Sequence, residues 1–161
     1  MPNSTTKPRR DGDATRERLL KAACSVFAEK GFRDATVQQI CKAAEANPAL
    51  ISYHFGDKAS LYEEVWRHCV ERARLYYPVD GGATGETPAE QRLEAHIRTF
   101  VRCIADTGEL SHLHRLNMLE SAAPNEFIRD TIQELRQPHT EYLGQLLREL
   151  LGPDATPEEI A

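Results

Sequence analysis

Residues 31–61 read GFRDATVQQICKAAEANPALISYHFGDKASL, and the spacing of start and stop signals within this run decides the fold. Gly31 tolerates the left-handed conformation that ends a preceding helix, with Phe32 behind it to fold back. Thr36 followed by Gln39 makes a capping box, in which two side chains satisfy each other's backbone N–H groups. Val37, Ile40, Cys41 and Ala44 then recur at i, i+3, i+4 and i+7, one apolar face of a helix barely two turns long. Asn47 is a good N-cap, and Pro48 suits the first helical position, where its missing N–H costs nothing. The spacing predicts a third short helix from Pro48 to about His54, with Ile51 and Phe55 turned inward. Asp57 caps a fourth helix, whose Leu61, Tyr62, Val65 and Cys69 share a face and which Pro78 stops.

Two short helices joined by a tight turn, with polar residues opening the second, have the layout of a helix-turn-helix. Asn47, Pro48, Ala49, Ser52 and Tyr53 are left facing outward. Asn and Ser can donate and accept at base edges or phosphates, and the Ala49 methyl and Leu50 can touch thymine methyl groups. The same spacing also suits a helical hairpin that docks a partner protein, so spacing alone leaves both open.

Upstream, Leu20, Ala23, Cys24 and Phe27 form the apolar stripe of a first helix. Residues 1–14 are polar and basic and are expected to be a flexible tail. Arg9, Arg10, Arg16 and Arg18 are either solvated there or touch a DNA backbone or minor groove. Downstream, the run Asp80-Gly81-Gly82-Ala83-Thr84-Gly85 reads as the clearest flexible joint. Thr87, Pro88 and Glu90 open a long amphipathic helix whose apolar face is Leu93, Ile97, Phe100, Val101 and Ile104. Further helices are expected over about 109–121 and 125–151, the latter interrupted or kinked at Pro138. Gly152 and Pro153 are a strong stop. Thr156, Pro157 and Glu159 then announce a helix with only two residues left to follow, so the chain reads as cut short at its C-terminus.

The 161 residues are 40% hydrophobic and 28% charged, an ordinary globular balance. No stretch approaches the roughly 18 uninterrupted apolar residues of a membrane span. The polar N-terminus holds no apolar signal core, so a cytoplasmic protein is expected. Net charge is −5 but uneven. Residues 1–77 carry 13 Lys/Arg against 10 Asp/Glu, net +3, while residues 78–161 carry 7 against 15, net −8. A basic front half is compatible with one face meeting phosphates. Cys24, Cys41, Cys69 and Cys103 are widely spaced without a CxxC pair, and three fall on apolar stripes, so buried thiols are expected rather than a disulfide or zinc site.

Catalytic motifs fare poorly. Glu109-x-x-His112 has the spacing of helical di-iron ligands but lacks a second copy. His112 and His114 diverge on a helix, and the run from Gly56 to Ser60 lacks the glycine and Gly-Lys-Ser of a phosphate loop. The expectation is a protein that is not an enzyme, with no cofactor and no metal.

The detailed string narrows the choice. Gly31-Phe32, Ala35-Thr36, Ile40, Ala43-Ala44 and the run from Ile51 to Lys58 with Leu61 closely resemble the signature of TetR-type transcriptional regulators. The segment Asn47 to Lys58 looks like the CecR-type branch of that family. The resemblance is specific over about residues 15–66, and looser around Leu116-x-x-Leu119-Glu120 and Pro124. It implies an all-α fold: a three-helix DNA-binding domain (15–57), a connecting helix (58–78) and an incomplete helical ligand-binding and dimerisation domain (79–161). On that resemblance Thr36, Tyr53, His54 and Lys58 hold phosphates, while Asn47, Pro48, Ala49, Leu50 and Ser52 approach bases. The implied partners are double-stranded operator DNA, a small apolar inducer and a second copy of the chain. His96, Phe100, Cys103, His112, Leu116, Met118 and Tyr142 are the candidates to line a ligand pocket. Two positions depart from the family pattern: Glu45 stands where many members have a turn glycine, and Ser52 where a tyrosine is common.

Overall fold

The computed structural model describes residues 7–152, with side chains from residue 12 onward. The elements are α1 (Lys7–Asp34), α2 (Val37–Ala43), α3 (Ala49–Phe55), α4 (Lys58–Tyr76), α5 (Ala89–Ala105), α6 (Ser111–Ala122), a 3-10 turn (Glu126–Ile128) and α7 (Arg129–Leu151). No strand occurs among the described residues, and no helix there is long and apolar enough to cross a membrane. Two compact units result. One takes the chain up to Cys69 together with Arg115–Pro124, and the other takes Val70–His114 and the chain from Asn125 onward. The boundaries fall inside α4 and α6, not at the glycine-rich stretch.

The first unit is organised around the apolar stripes. Leu19, Leu20, Ala23, Cys24 and Phe27 of α1 are buried with Ile40 and Cys41 of α2, Ile51 and Phe55 of α3, and Leu61, Tyr62, Val65 and Trp66 of α4. Phe27 and Tyr62 meet edge to face with ring centroids 4.8 Å apart, and Phe32 folds back to within 5.2 Å of Tyr62. Gly31 breaks α1 with φ +74° and ψ 177°, a left-handed φ that a Cβ would strain. Leu116 of α6 is fully buried in this unit, and Glu120 accepts a 3.0 Å hydrogen bond from the Tyr62 hydroxyl.

In the second unit α5 packs on α7, and Ile128, Ile132 and Leu146 are buried. Here the structure corrects several expectations. The 80–85 joint is a chain of hydrogen-bonded turns: Gly81 N–H donates to the Pro78 carbonyl, Ala83 N–H to the Asp80 carbonyl, and Gly82 N–H to the Asp80 carboxylate at 2.8 Å. Gly81 sits at φ +62°, where a Cβ would come within 2.5 Å of the Ala95 carbonyl oxygen, so glycine is there for close packing. The box expected at Thr87 and Glu90 does not cap α5; Thr87 N–H is bonded to Thr84 instead.

The apolar stripe of α5 is not its buried side. His96 is its buried residue, while Ile97, Phe100, Val101 and Ile104 are exposed. Polar contacts hold that orientation. Arg92 pairs with Glu149 and donates to the Thr87 carbonyl at 2.9 Å, and His96 bonds the Val79 carbonyl. Finally, α7 runs unbroken through Pro138, whose ring lies on an exposed side. Residues 7–14, expected as flexible tail, continue α1. The start signal at Thr156–Glu159 lies outside the described residues.

Candidate functional site

The loop between α2 and α3 shapes the candidate interface. Helix α2 begins with the capping box: the Thr36 hydroxyl accepts from Gln39 N–H at 3.2 Å, and the Gln39 side chain accepts from Thr36 N–H at 3.0 Å. Its far end closes as a Schellman motif, with Ala46 N–H on the Cys41 carbonyl and Glu45 N–H on the Lys42 carbonyl. That motif requires its turning residue to be left-handed. Glu45 occupies the place with φ +49°, the one non-glycine residue of positive φ among the described residues. The turn therefore has the geometry that glycine would give, held by glutamate at some cost in strain.

Helix α3 follows at once. Pro48 already has helical angles, φ −52° and ψ −32°, and the Asn47 side-chain oxygen accepts from Ala49 N–H at 2.9 Å. Asn47 thus caps the helix, and its side-chain NH2 remains as the group that can point to a ligand. Ile51 and Phe55 are buried, four residues apart, fixing the rotation of the helix. On the other side Asn47, Pro48, Ala49 and Ser52 are exposed, Leu50 is half-buried, and Tyr53 is 80% exposed. The Tyr53 ring stands edge-on to His54 at 4.8 Å, putting a hydroxyl and an imidazole together at the rim of the exposed surface.

Thr36 is exposed as well, and since its oxygen accepts from Gln39, its hydroxyl hydrogen is left to donate outward. Asp57 caps α4 by accepting from Ser60 N–H at 2.8 Å, which holds its carboxyl below the ordinary value. Lys58 differs from the expectation. A cation at a helix start is mildly unfavourable, and the Lys58 amine turns away to reach the Arg33 carbonyl at 3.5 Å while standing 4.5 Å over the Phe32 ring. Loss of hydration there pushes the amine below its ordinary value, with Asp34 acting the other way. An internal partner thus accounts for its position, although an ammonium still has hydrogens left for a phosphate. Arg16 is also engaged inside, over the Phe55 ring and bonded to Glu64 at 2.7 Å; Arg18 is exposed.

The pocket candidates separate. His96, Phe100 and Tyr142 come together in the second unit, joined by His139, which sequence reasoning missed. No pattern in the sequence marks His139, because its neighbour relation depends on how α7 lies along α5. Cys103 is half-buried on α5, and burial pushes its thiol up. His112 is half-buried at the start of α6. Leu116 and Met118 lie in the first unit, Leu116 in its core and Met118 exposed. The expected thiols of Cys24, Cys41 and Cys69 are buried, with the Cys24 and Cys69 sulfurs 3.8 Å apart.

Against known proteins, residues 19–65 match the family described as bacterial regulatory proteins of the tetR family. Residues 89–161 match the C-terminal domain of the HTH-type transcriptional dual regulator CecR. Among curated relatives, the chain is 41% identical over 56 residues to the HTH-type transcriptional repressor NicS of Pseudomonas putida, covering 35% of this chain and 26% of that protein. It is 34% identical over 73 residues to the HTH-type transcriptional regulator UidR of Escherichia coli, 44% of this chain and 37% of that one. The matched stretches thus span about a quarter to just over a third of these relatives. Among solved structures, a TetR-family regulator from Rhodococcus sp. superposes with a TM-score of 0.67 at 23% identity, over 91% of this chain and 78% of that one. The fatty acid degradation regulator FadR of Bacillus halodurans gives 0.67 at 23% identity, over 84% and 67%. At that identity the likeness is one of fold.

Proposed function

Since the chain belongs to the TetR family of bacterial regulatory proteins, a family of transcriptional regulators and not of enzymes, we propose that it is a ligand-responsive DNA-binding regulator. It acts as a repressor in the cytoplasm, binds a palindromic operator as a dimer, and lets go when a small apolar inducer enters the second unit. The observation that carries this reading is the two-sidedness of α3, with Ile51 and Phe55 buried and Asn47, Pro48, Ala49, Ser52 and Tyr53 exposed. A recognition helix needs that arrangement to be held from behind while its first turns enter a major groove. Asn47, Pro48, Ala49, Leu50 and Ser52 approach the bases, and Thr36, Tyr53, His54 and Lys58 flank them at phosphates. Helices α4 and α6 each run from one unit into the other, so a rearrangement in the second reaches the recognition helix along them. A changed separation of two such helices breaks the match to half-sites about 34–36 Å apart.

Fluorescence anisotropy with a duplex selected from random DNA, titrated at several salt concentrations, tests the reading. Binding should weaken steeply with salt, each phosphate contact contributing about 0.9 to the log–log slope. Salt-insensitive binding, or none, would return the hairpin to a protein-docking role.

A further inference from the structure

Four rings from α5 and α7 gather in the second unit. The His96 ring lies 5.0 Å from His139 and 6.1 Å from Tyr142, and Phe100 lies 6.3 Å from His96 and 6.4 Å from His139, all between centroids. One of the four carries a buried polar atom that the packing leaves without a partner, and a second turns one ring nitrogen to a backbone carbonyl. His96 is only 7% exposed, and its Nδ1 is 2.7 Å from the Val79 carbonyl oxygen. A carbonyl can only accept, so Nδ1 carries the hydrogen, and in the neutral ring Nε2 is left as an acceptor. The Tyr142 hydroxyl is buried and has no hydrogen-bond partner among the described residues. Buried polar groups without a partner are few in native proteins.

The charges nearby narrow what could satisfy these atoms. Around Tyr142 stand Arg92, Asp80 and Glu149. Arg92 is already bound to Glu149 and to the Thr87 carbonyl, and Asp80 accepts from Gly82. Arg74, near His139, donates to the Leu135 carbonyl. Arg92 is neutralised by Glu149, and the carboxylates of Asp80 and Glu149 stand near the Tyr142 hydroxyl, which disfavours an anion at that hydroxyl. Loss of hydration, then His96 and Arg74, push the His139 imidazole below its ordinary value, which favours its neutral form. Burial pushes the Tyr142 hydroxyl up, so it stays protonated and can donate.

We infer that the His96–Phe100–His139–Tyr142 cluster binds an uncharged aromatic molecule bearing a hydroxyl, its ring against the four rings and its hydroxyl accepting from Tyr142 and donating to His96 Nε2. This rests on the reading of the second unit as a sensor and names its ligand class. A phenolic hydroxyl fits because one group both accepts and donates, and ligand sites pair apolar walls with a few placed polar groups.

The test is isothermal titration calorimetry of the full chain, without DNA, against para-ethylphenol, ethylbenzene, para-ethylbenzoate and para-ethylcyclohexanol. Para-ethylphenol should bind most tightly, and Tyr142→Phe should weaken it roughly fivefold to tenfold, the worth of one hydrogen bond, without changing ethylbenzene. The Cε1–H resonances of His96 and His139 should move with the phenol. Equal binding of the benzoate or the cyclohexanol, no binding of the phenol, or an undiminished preference for it in Tyr142→Phe would each overturn the assignment. Duplex-DNA binding is measured separately, so a regulator with another ligand class would show lost phenol binding and intact salt-dependent DNA binding.

Discussion

Single residues on α3 divide between holding the helix and reading through it. Asn47 caps, so Asn47→Ala would mix a loss of helix stability of about 1 kcal/mol with any lost contact. Ser52 is free of that complication, being exposed in mid-helix. Ser52→Ala should therefore change sequence preference, by about 1–3 kcal/mol of discrimination if it makes a good base contact, while affinity for random duplex stays the same. Equal losses on both would remove it from base reading. Glu45 supplies a second prediction. A non-glycine residue in the left-handed region costs roughly 1–2 kcal/mol, partly offset by the entropy glycine loses on folding. Glu45→Gly should then raise stability by up to about 1 kcal/mol in urea denaturation; a decrease would mean that the side chain contributes more than its backbone strain costs.

Among the elements, the caps of α2 and α4 behaved as their sequences implied, whereas the box at Thr87 did not form on α5. The Thr36 box and the Asp57 cap are local, built from residues three apart, and both form as expected. On α5 the apolar periodicity identified a helix but not its inward side, because Arg92 and His96 make the contacts that orient it. The stretch 80–85 is a matching case. Its glycines suggested slack, yet Gly81 is there to let the backbone approach Ala95. Hydrogen exchange should find the amides of Gly81, Gly82 and Ala83 protected well beyond the rates of an unstructured glycine-rich peptide. Exchange at intrinsic rates would restore the flexible joint.

At the scale of the whole molecule, the first unit is discontinuous in sequence. Arg115–Pro124 completes it from some 45 residues downstream of Cys69. Leu116 is fully buried there, the Leu119 side chain lies 4.0 Å from the position a Cβ would take at Gly31, and Arg33 donates to the Pro124 carbonyl. Leu116→Ala should accordingly destabilise the helix-turn-helix unit by about 2–5 kcal/mol, the range for truncating a buried leucine. Trp66, the single tryptophan and only 1% exposed in that unit, provides the fluorescence readout. An unchanged midpoint in Leu116→Ala would place α6 outside the unit's cooperative core.

By itself the sequence determined what depends on neighbours a few residues apart: the helical elements from α1 to α4, their caps, the inward Ile51 and Phe55, and the exposed front of α3. Hydrogen bonds three and four residues long and apolar repeats of the same period are written directly into such a string. It also carried the family, because the run from Gly31 to Leu61 encodes one turn geometry closely enough to be recognised. Tertiary structure alone decided which face of α5 is inward, that Lys58 and Arg16 have internal partners, that Leu116 belongs with the helix-turn-helix, and that His139 stands beside His96. Each of these is a meeting of residues distant in sequence, set by how helices lie against one another. Periodicity specifies a helix's stripes but not its neighbour.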